Sequence, residues 1–147
     1  MRAIVDKLVT VPSIVAEALD ADNTEVTVDL RGFDAATVAI TVGVGGITFT
    51  GSNKVEFKLT DSDDDSTYAA VEDADVDLTN SNISTVGTGG IVYSLIAAHA
   101  AGTAVNIGYT GGKRYLQLLA DFSGTHGTAT PIAANVIKGL PHDAPTA

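Results

Sequence analysis

Apolar and polar residues alternate over short stretches along most of this chain, and almost nowhere do apolar residues recur at the three-to-four spacing of an amphipathic helix. In Glu25-Val26-Thr27-Val28-Asp29-Leu30 every second residue is apolar, as it is at Val38, Ile40 and Val42, so each stretch predicts a strand with one face turned inward. Runs rich in Val, Ile, Thr and aromatic residues, bounded by Gly, Asn, Asp or Ser, predict strands at 25–30, 36–42, 55–59, 68–71, 92–97, 105–109, 115–122 and 130–137, with a further strand near 14–18. The stretch 115–122 is apolar on both faces, which marks a central strand or one whose outer face meets a partner. Residues 95–101 read as the end of a strand, with a short helix as the alternative.

The connections are mostly short, with turns at Arg31-Gly32-Phe33-Asp34, 61–66 and 109–113, and predict antiparallel neighbours. The exception is 79–90, where Asn, Ser, Thr and Gly crowd together in a loop expected to cross between sheets. Eight or nine short strands without an internal repeat define the expected fold class, an all-β antiparallel β-sandwich of jelly-roll or immunoglobulin-like type. The expected division is an extended N-terminal arm at 1–18, the sandwich at 19–139 and a Pro-rich C-terminal tail at 140–147, where Pro141 and Pro145 remove backbone donors.

Charge narrows the partners. The chain of 147 residues carries a formal charge of -10, and 61–77 holds eight acids and no base. Such a balance argues against binding a nucleic-acid backbone or an anionic membrane surface, both of which need clustered Lys and Arg. No run of about 18 apolar residues is present to make a membrane-spanning helix. Arg2 and Lys7 ahead of an apolar stretch, with Ala16-Glu17-Ala18 behind it, imitate an export signal, but Asp6, Thr10, Pro12 and Ser13 interrupt the pattern and none is expected. Cysteine is absent, so packing and backbone pairing must hold the fold without disulfides or thiolate metal sites.

Candidate chemistry is sparse. Asp61, Asp63, Asp65 and Glu72 fall at positions one, three, five and twelve of a calcium loop, but Ser66 stands where the sharp turn wants Gly, and the flanks read as strands. A solvated hairpin turn is the better reading, with Asp61, Asp63, Asp64 and Asp65 facing water. Lys113 follows Gly111-Gly112, yet a phosphate loop would need Gly at Ile107 and Ser or Thr at Arg114. His99, His126 and His142 are far apart, with no metal-binding or nucleophile motif around them. Tyr68, Tyr93, Tyr109 and Tyr115 are possible stacking platforms for a sugar. No catalytic residue, cofactor or metal is expected, and the chain reads as one that packs and binds instead of an enzyme.

Three pieces in fixed order resemble a family of small β-sandwich proteins encoded among the head genes of tailed bacteriophages. They are Val28-Asp29-Leu30-Arg31-Gly32-Phe33-Asp34-Ala35-Ala36-Thr37-Val38, then 59–68, then Ile107-Gly-Tyr109-Thr-Gly-Gly-Lys113-Arg114-Tyr115-Leu116 with the close Lys138-Gly139-Leu140-Pro141-His142-Asp143-Ala144-Pro145. The resemblance implies a decoration or cement protein on the virion capsid exterior, made in the host cytoplasm, without enzymatic activity, binding the phage major capsid protein as a small homo-oligomer such as a trimer. On that expectation the contact residues are Ile4, Val5, Leu8 and Val9 of the arm and Leu140 and Pro141 of the close. Another virion position, at the head-tail connection or the tail, is the near alternative. A carbohydrate-binding sandwich module, with Tyr rings on the sugar and calcium in the acidic turn, is the alternative from a different class.

Overall fold

The computed structural model describes residues 4–142. Its nine strands are β1 (Leu8–Leu19), β2 (Val28–Asp29), β3 (Phe33–Val42), β4 (Lys54–Ser62), β5 (Ala69–Ala70), β6 (Ile91–Leu95), β7 (Thr103–Tyr109), β8 (Tyr115–Ser123) and β9 (Thr130–Pro141). They form two antiparallel sheets packed face to face, the β-sandwich that the alternation predicts. Sheet A has the order β1-β9-β3-β7; sheet B has β2-β8-β4, with β5 and β6 both pairing on β4.

The pairing runs first with last: β1 with β9, β2 with β8, β3 with β7 and β4 with β6. That is one long hairpin rolled so that alternate pairs fall in opposite sheets, the jelly-roll of the two expected types. Short connections therefore do not mark neighbours, contrary to expectation. The turn at Leu30–Phe33 and the loop at 110–114 each carry the chain from one sheet to the other, and only the 63–68 turn between β4 and β5 closes a hairpin.

Alternation places the core. Val38, Ile40 and Val42 of β3, Val55, Phe57 and Leu59 of β4, Leu116 and Leu118 of β8 and Ile132, Ala134 and Val136 of β9 are all buried between the sheets. At roughly 1.5–3 kcal/mol for each large apolar side chain removed from water, this layer is the main driving force for the fold. The stretch apolar on both faces is indeed central, since β8 lies between β2 and β4.

Four expectations change. The strand near 14–18 starts earlier, at Leu8, and spans most of the residues expected as an arm. Along its whole length β1 pairs with β9, from Leu8 opposite Gly139 to Leu19 opposite Thr130. At the other end β9 continues past Ile137 to Pro141, where Pro is tolerated because its neighbour β1 has ended and only β3 remains beside it. Of the tail, residues 143–147, with Pro145, lie outside the described residues. The strand predicted at 25–30 shrinks to Val28–Asp29, and Val26 is exposed. Asn23 takes over its pairing: the side-chain amide donates to Leu118 O and accepts from Ala120 N at 2.7 Å, so a side chain does the work of a ladder on the β8 edge. Residues 96–102 are neither strand nor helix.

The loop at 79–90, expected to cross between sheets, instead joins β5 to β6 of the same sheet and only reaches over the other on its way. Asp77 N donates to Gly108 O and Asn82 N to Asn106 O, and Ser81 Oγ accepts from Gly108 N, so this segment covers the free edge of β7 before returning to β6. Among the described residues no strand pairs with the opposite edge of sheet A, β1, which carries Pro12, Glu17 and two register shifts that spoil it as a template for a further strand.

Candidate functional site

The outer faces of the two sheets differ in charge. On sheet B the outward positions include Lys54, Glu56 and Lys58 of β4 and Asp121 of β8, joined as the pairs Lys54–Glu56 and Lys58–Asp121. The Asp121 carboxylate holds the Lys58 ammonium above its ordinary pKa. On sheet A the residues between the buried ones are Ala35, Thr37, Ala39 and Thr41 on β3 and Ala133, Asn135 and Ile137 on β9. None is charged, in a chain where 18% of residues are.

The expected contact residues gather at one end of this uncharged face. Ile4, Leu8 and Leu140 line a shallow depression of about 290 Å³ together with Ala35, Thr37 and Ile137, with Lys7 as its one charged side chain. Leu140 and Pro141 also line a second, beside Asp6, Lys7 and Asp34. Ile4, Val5 and Leu140 are exposed large apolar side chains, whereas Leu8 and Val9 are half-buried in the β1 ladder. The chain ends meet here because β1 and β9 are adjacent and antiparallel. Leu140 itself stands at a positive φ of 52°, a conformation that costs a branched residue energy and turns its side chain out of the strand.

The acids with calcium-loop spacing do not converge. Asp61, expected in solvent, is buried at 5% exposure and accepts a hydrogen bond from the Tyr109 hydroxyl. Asp63 pairs with Lys113, Asp65 accepts from Tyr68 and Thr27, and Glu72 caps a short 3-10 turn at Asp73–Asp75. Asp64 organises the turn instead: its carboxylate accepts from Thr67 N, Ser66 N and Ser62 Oγ, and these bonds hold its pKa down at about 2. Among the described residues, no three His, Asp or Glu side chains gather in a metal-holding group.

The remaining candidates are also dispersed. His99 and His126 flank the buried Phe49, at ring distances of 5.5 and 6.2 Å, while His142 meets Asp34 at the other end of the sandwich. None of the four tyrosines is exposed: Tyr109 is in the core, Tyr93 packs on Phe57, and Tyr68 and Tyr115 are half-buried. Flat tyrosine platforms are thus not what this surface offers.

A pocket of about 420 Å³ lies at the end of the sandwich between the Leu30–Phe33 turn and the 110–114 loop. Arg31, Lys113, Arg114 and His142 stand around it. Sequence reasoning took Arg31 and Lys113 only as turn residues, because nothing local shows that the two turns face each other across the sheets. Comparison with family models, with curated proteins and with solved structures returns no match for this chain.

Proposed function

We propose that this chain is a non-enzymatic structural protein of a virion, which decorates the outer surface of the capsid and stabilises it by binding the major capsid protein. The observation that carries this reading is the contrast between the two sheet faces: one carries ion pairs, while the other has no charged side chain at the outward positions of its two central strands and is bordered by the exposed side chains of Ile4, Val5 and Leu140. Removing an uncharged face from water carries no desolvation penalty for ions, so it is the cheaper of the two to cover. The motifs that resemble phage head proteins support the same reading. The fold does not decide it, because jelly-rolls serve as capsid components and as lectins alike.

The mechanism is linkage. A protein that binds only the assembled lattice stabilises that lattice by its binding free energy, and many copies add up. The test is to mix the purified chain with undecorated capsids of its source virus, sediment them and image the particles. Stoichiometric binding, ordered density at symmetry positions and a raised capsid melting temperature are expected. Failure to co-sediment removes this reading. Deleting residues 1–12 is a poor probe, since it strips half of β1 from β9 and confuses binding with folding.

A further inference from the structure

We infer that the pocket between the Leu30–Phe33 turn and the 110–114 loop is a binding site for a carboxylated sugar, a small ligand with one negative charge and several hydroxyls. The pocket borders the proposed docking face and shares Asp34 and Ala35 with the depressions there, but ligand binding is read in the free chain and so stands or falls apart from capsid binding. Its lining includes the buried Leu30, Ala36 and Tyr109 and the ring of Phe33, which has the Lys138 ammonium 4.6 Å from its centroid and serves as an aromatic surface for the C–H face of a pyranose. Its volume of about 420 Å³ suits a monosaccharide or the terminal unit of a glycan.

The rim fixes the charge of the ligand. Of the eight Lys and Arg in this acidic chain, three line this one pocket: Arg31, Lys113 and Arg114. Lys113 is paired with Asp63 and Arg114 with Asp29, at 2.6 Å, while His142 meets Asp34 at 2.8 Å. Among the described residues the Arg31 guanidinium makes no ion pair, in contrast to Lys113, Arg114 and His142. A guanidinium receives a carboxylate through two parallel N–H···O bonds. A phosphate dianion fits less well, because Asp34 and Asp63 sit on the same rim and repel a second negative charge.

The paired groups fix the rest. Asp34 and Asp63 keep 68% and 64% of their side chains exposed and Lys113 46%, so both acceptors and donors remain open beside Arg31. Sugar hydroxyls donate and accept at once and match such an alternating rim, whereas a bare carboxylate uses Arg31 alone. The site is also preformed. Tyr109 Oη accepts from Lys113 N at 3.2 Å, and Thr110 N and Gly111 N donate to Asp75 O, so the loop is pinned to its neighbours before any ligand arrives.

The test is an amide NMR titration of the intact chain with glucuronate, in parallel with glucose, acetate and inorganic phosphate. Saturable shifts confined to Gly32, Phe33 and Gly111 to Arg114 are expected with glucuronate, with affinity about tenfold above glucose and above acetate, the margin expected of one added charge-assisted contact. Arg31→Ala, at an exposed side chain, is expected to remove that tenfold advantage while leaving the melting temperature unchanged. The proposal is overturned if glucuronate gives no saturable shifts, if they fall elsewhere, or if acetate or phosphate binds as tightly. It is equally overturned if an oligoglutamate peptide occupies the pocket and glucuronate does not.

Discussion

The Tyr109 hydroxyl donates a 2.8 Å hydrogen bond to the buried carboxylate of Asp61, tying β7 of one sheet to β4 of the other. Burial pushes the Asp61 pKa up, against the lowering effect of the Tyr109 bond, and burial together with the same contact raises the tyrosine. A carboxyl whose folded pKa is raised contributes stability that is fully present below its unfolded value, 3.8, and is lost as pH rises through the folded pKa. Asp61→Asn keeps an acceptor for Tyr109 and removes the ionisation, so it should be neutral or stabilising at pH near 7 and flatten the decline above pH about 4. Asp61→Ala leaves the phenol unpartnered and should cost about 1–3 kcal/mol. Urea unfolding of the three proteins at several pH values decides this; a strongly destabilised Asn variant would contradict it.

Asp29 acts in the opposite sense. The hydrogen bond from Arg114 holds its pKa down at about 2, so its contribution is present above 3.8 and disappears as pH falls toward 2. The pair is nearly half exposed, so solvent screening keeps its effect small. Asp29→Asn should lower the melting temperature slightly at neutral pH and remove part of the acid-side loss, read from melting curves taken between those two pH values.

Asn23 should matter more than an ordinary loop residue. Its amide satisfies both Ala120 N and Leu118 O on β8. Asn23→Ala is expected to cost about 1–3 kcal/mol and to speed hydrogen exchange at Ala120. Stability within 0.3 kcal/mol of the parent, roughly the error of such measurements, would show that water replaces it.

Two neighbouring glycines should behave differently. Gly89 and Gly90 both have φ of 80°, but a Cβ on Gly89 meets open space, whereas one on Gly90 would strike the Leu59 carbonyl. Gly89→Ala should cost about 1 kcal/mol from the left-handed backbone alone, and Gly90→Ala clearly more. Equal losses by denaturant titration would mean that β4 yields at Leu59.

A charge on the flat face separates binding from folding. Ala39 lies on the outward side of β3, so Ala39→Glu should change stability by no more than about 0.5 kcal/mol. On the proposed function it weakens capsid binding at least about tenfold, through desolvation of the new carboxylate. Asp121→Asn on sheet B is the control expected to bind normally. Equal binding by both would move the docking surface elsewhere.

Much of the fold is legible in the sequence because alternation is local: Val38, Ile40 and Val42 announce an inward face wherever the strand ends up. Strand bounds failed where another part of the chain supplied the partner. β1 extends to Leu8 because β9 is there to pair with it, and Val26 drops out because the Asn23 side chain has already met β8. The expected contact residues Ile4 and Leu140 were readable as apolar ends, but the charge-free positions beside them come from residues of β3 and β9 almost a hundred positions apart.

Local patterning was enough for the all-β class, for eight or nine strands and for which side of most of them is apolar, since period-two alternation and turn residues act over a few neighbours. Which strands pair, that Asp61 is buried against Tyr109, and that Arg31 faces Lys113 across a pocket were decided by the tertiary structure alone. The physical reason is that a short connection in a sandwich fits both a hairpin and a crossing between sheets, and only the burial of both apolar faces together selects one.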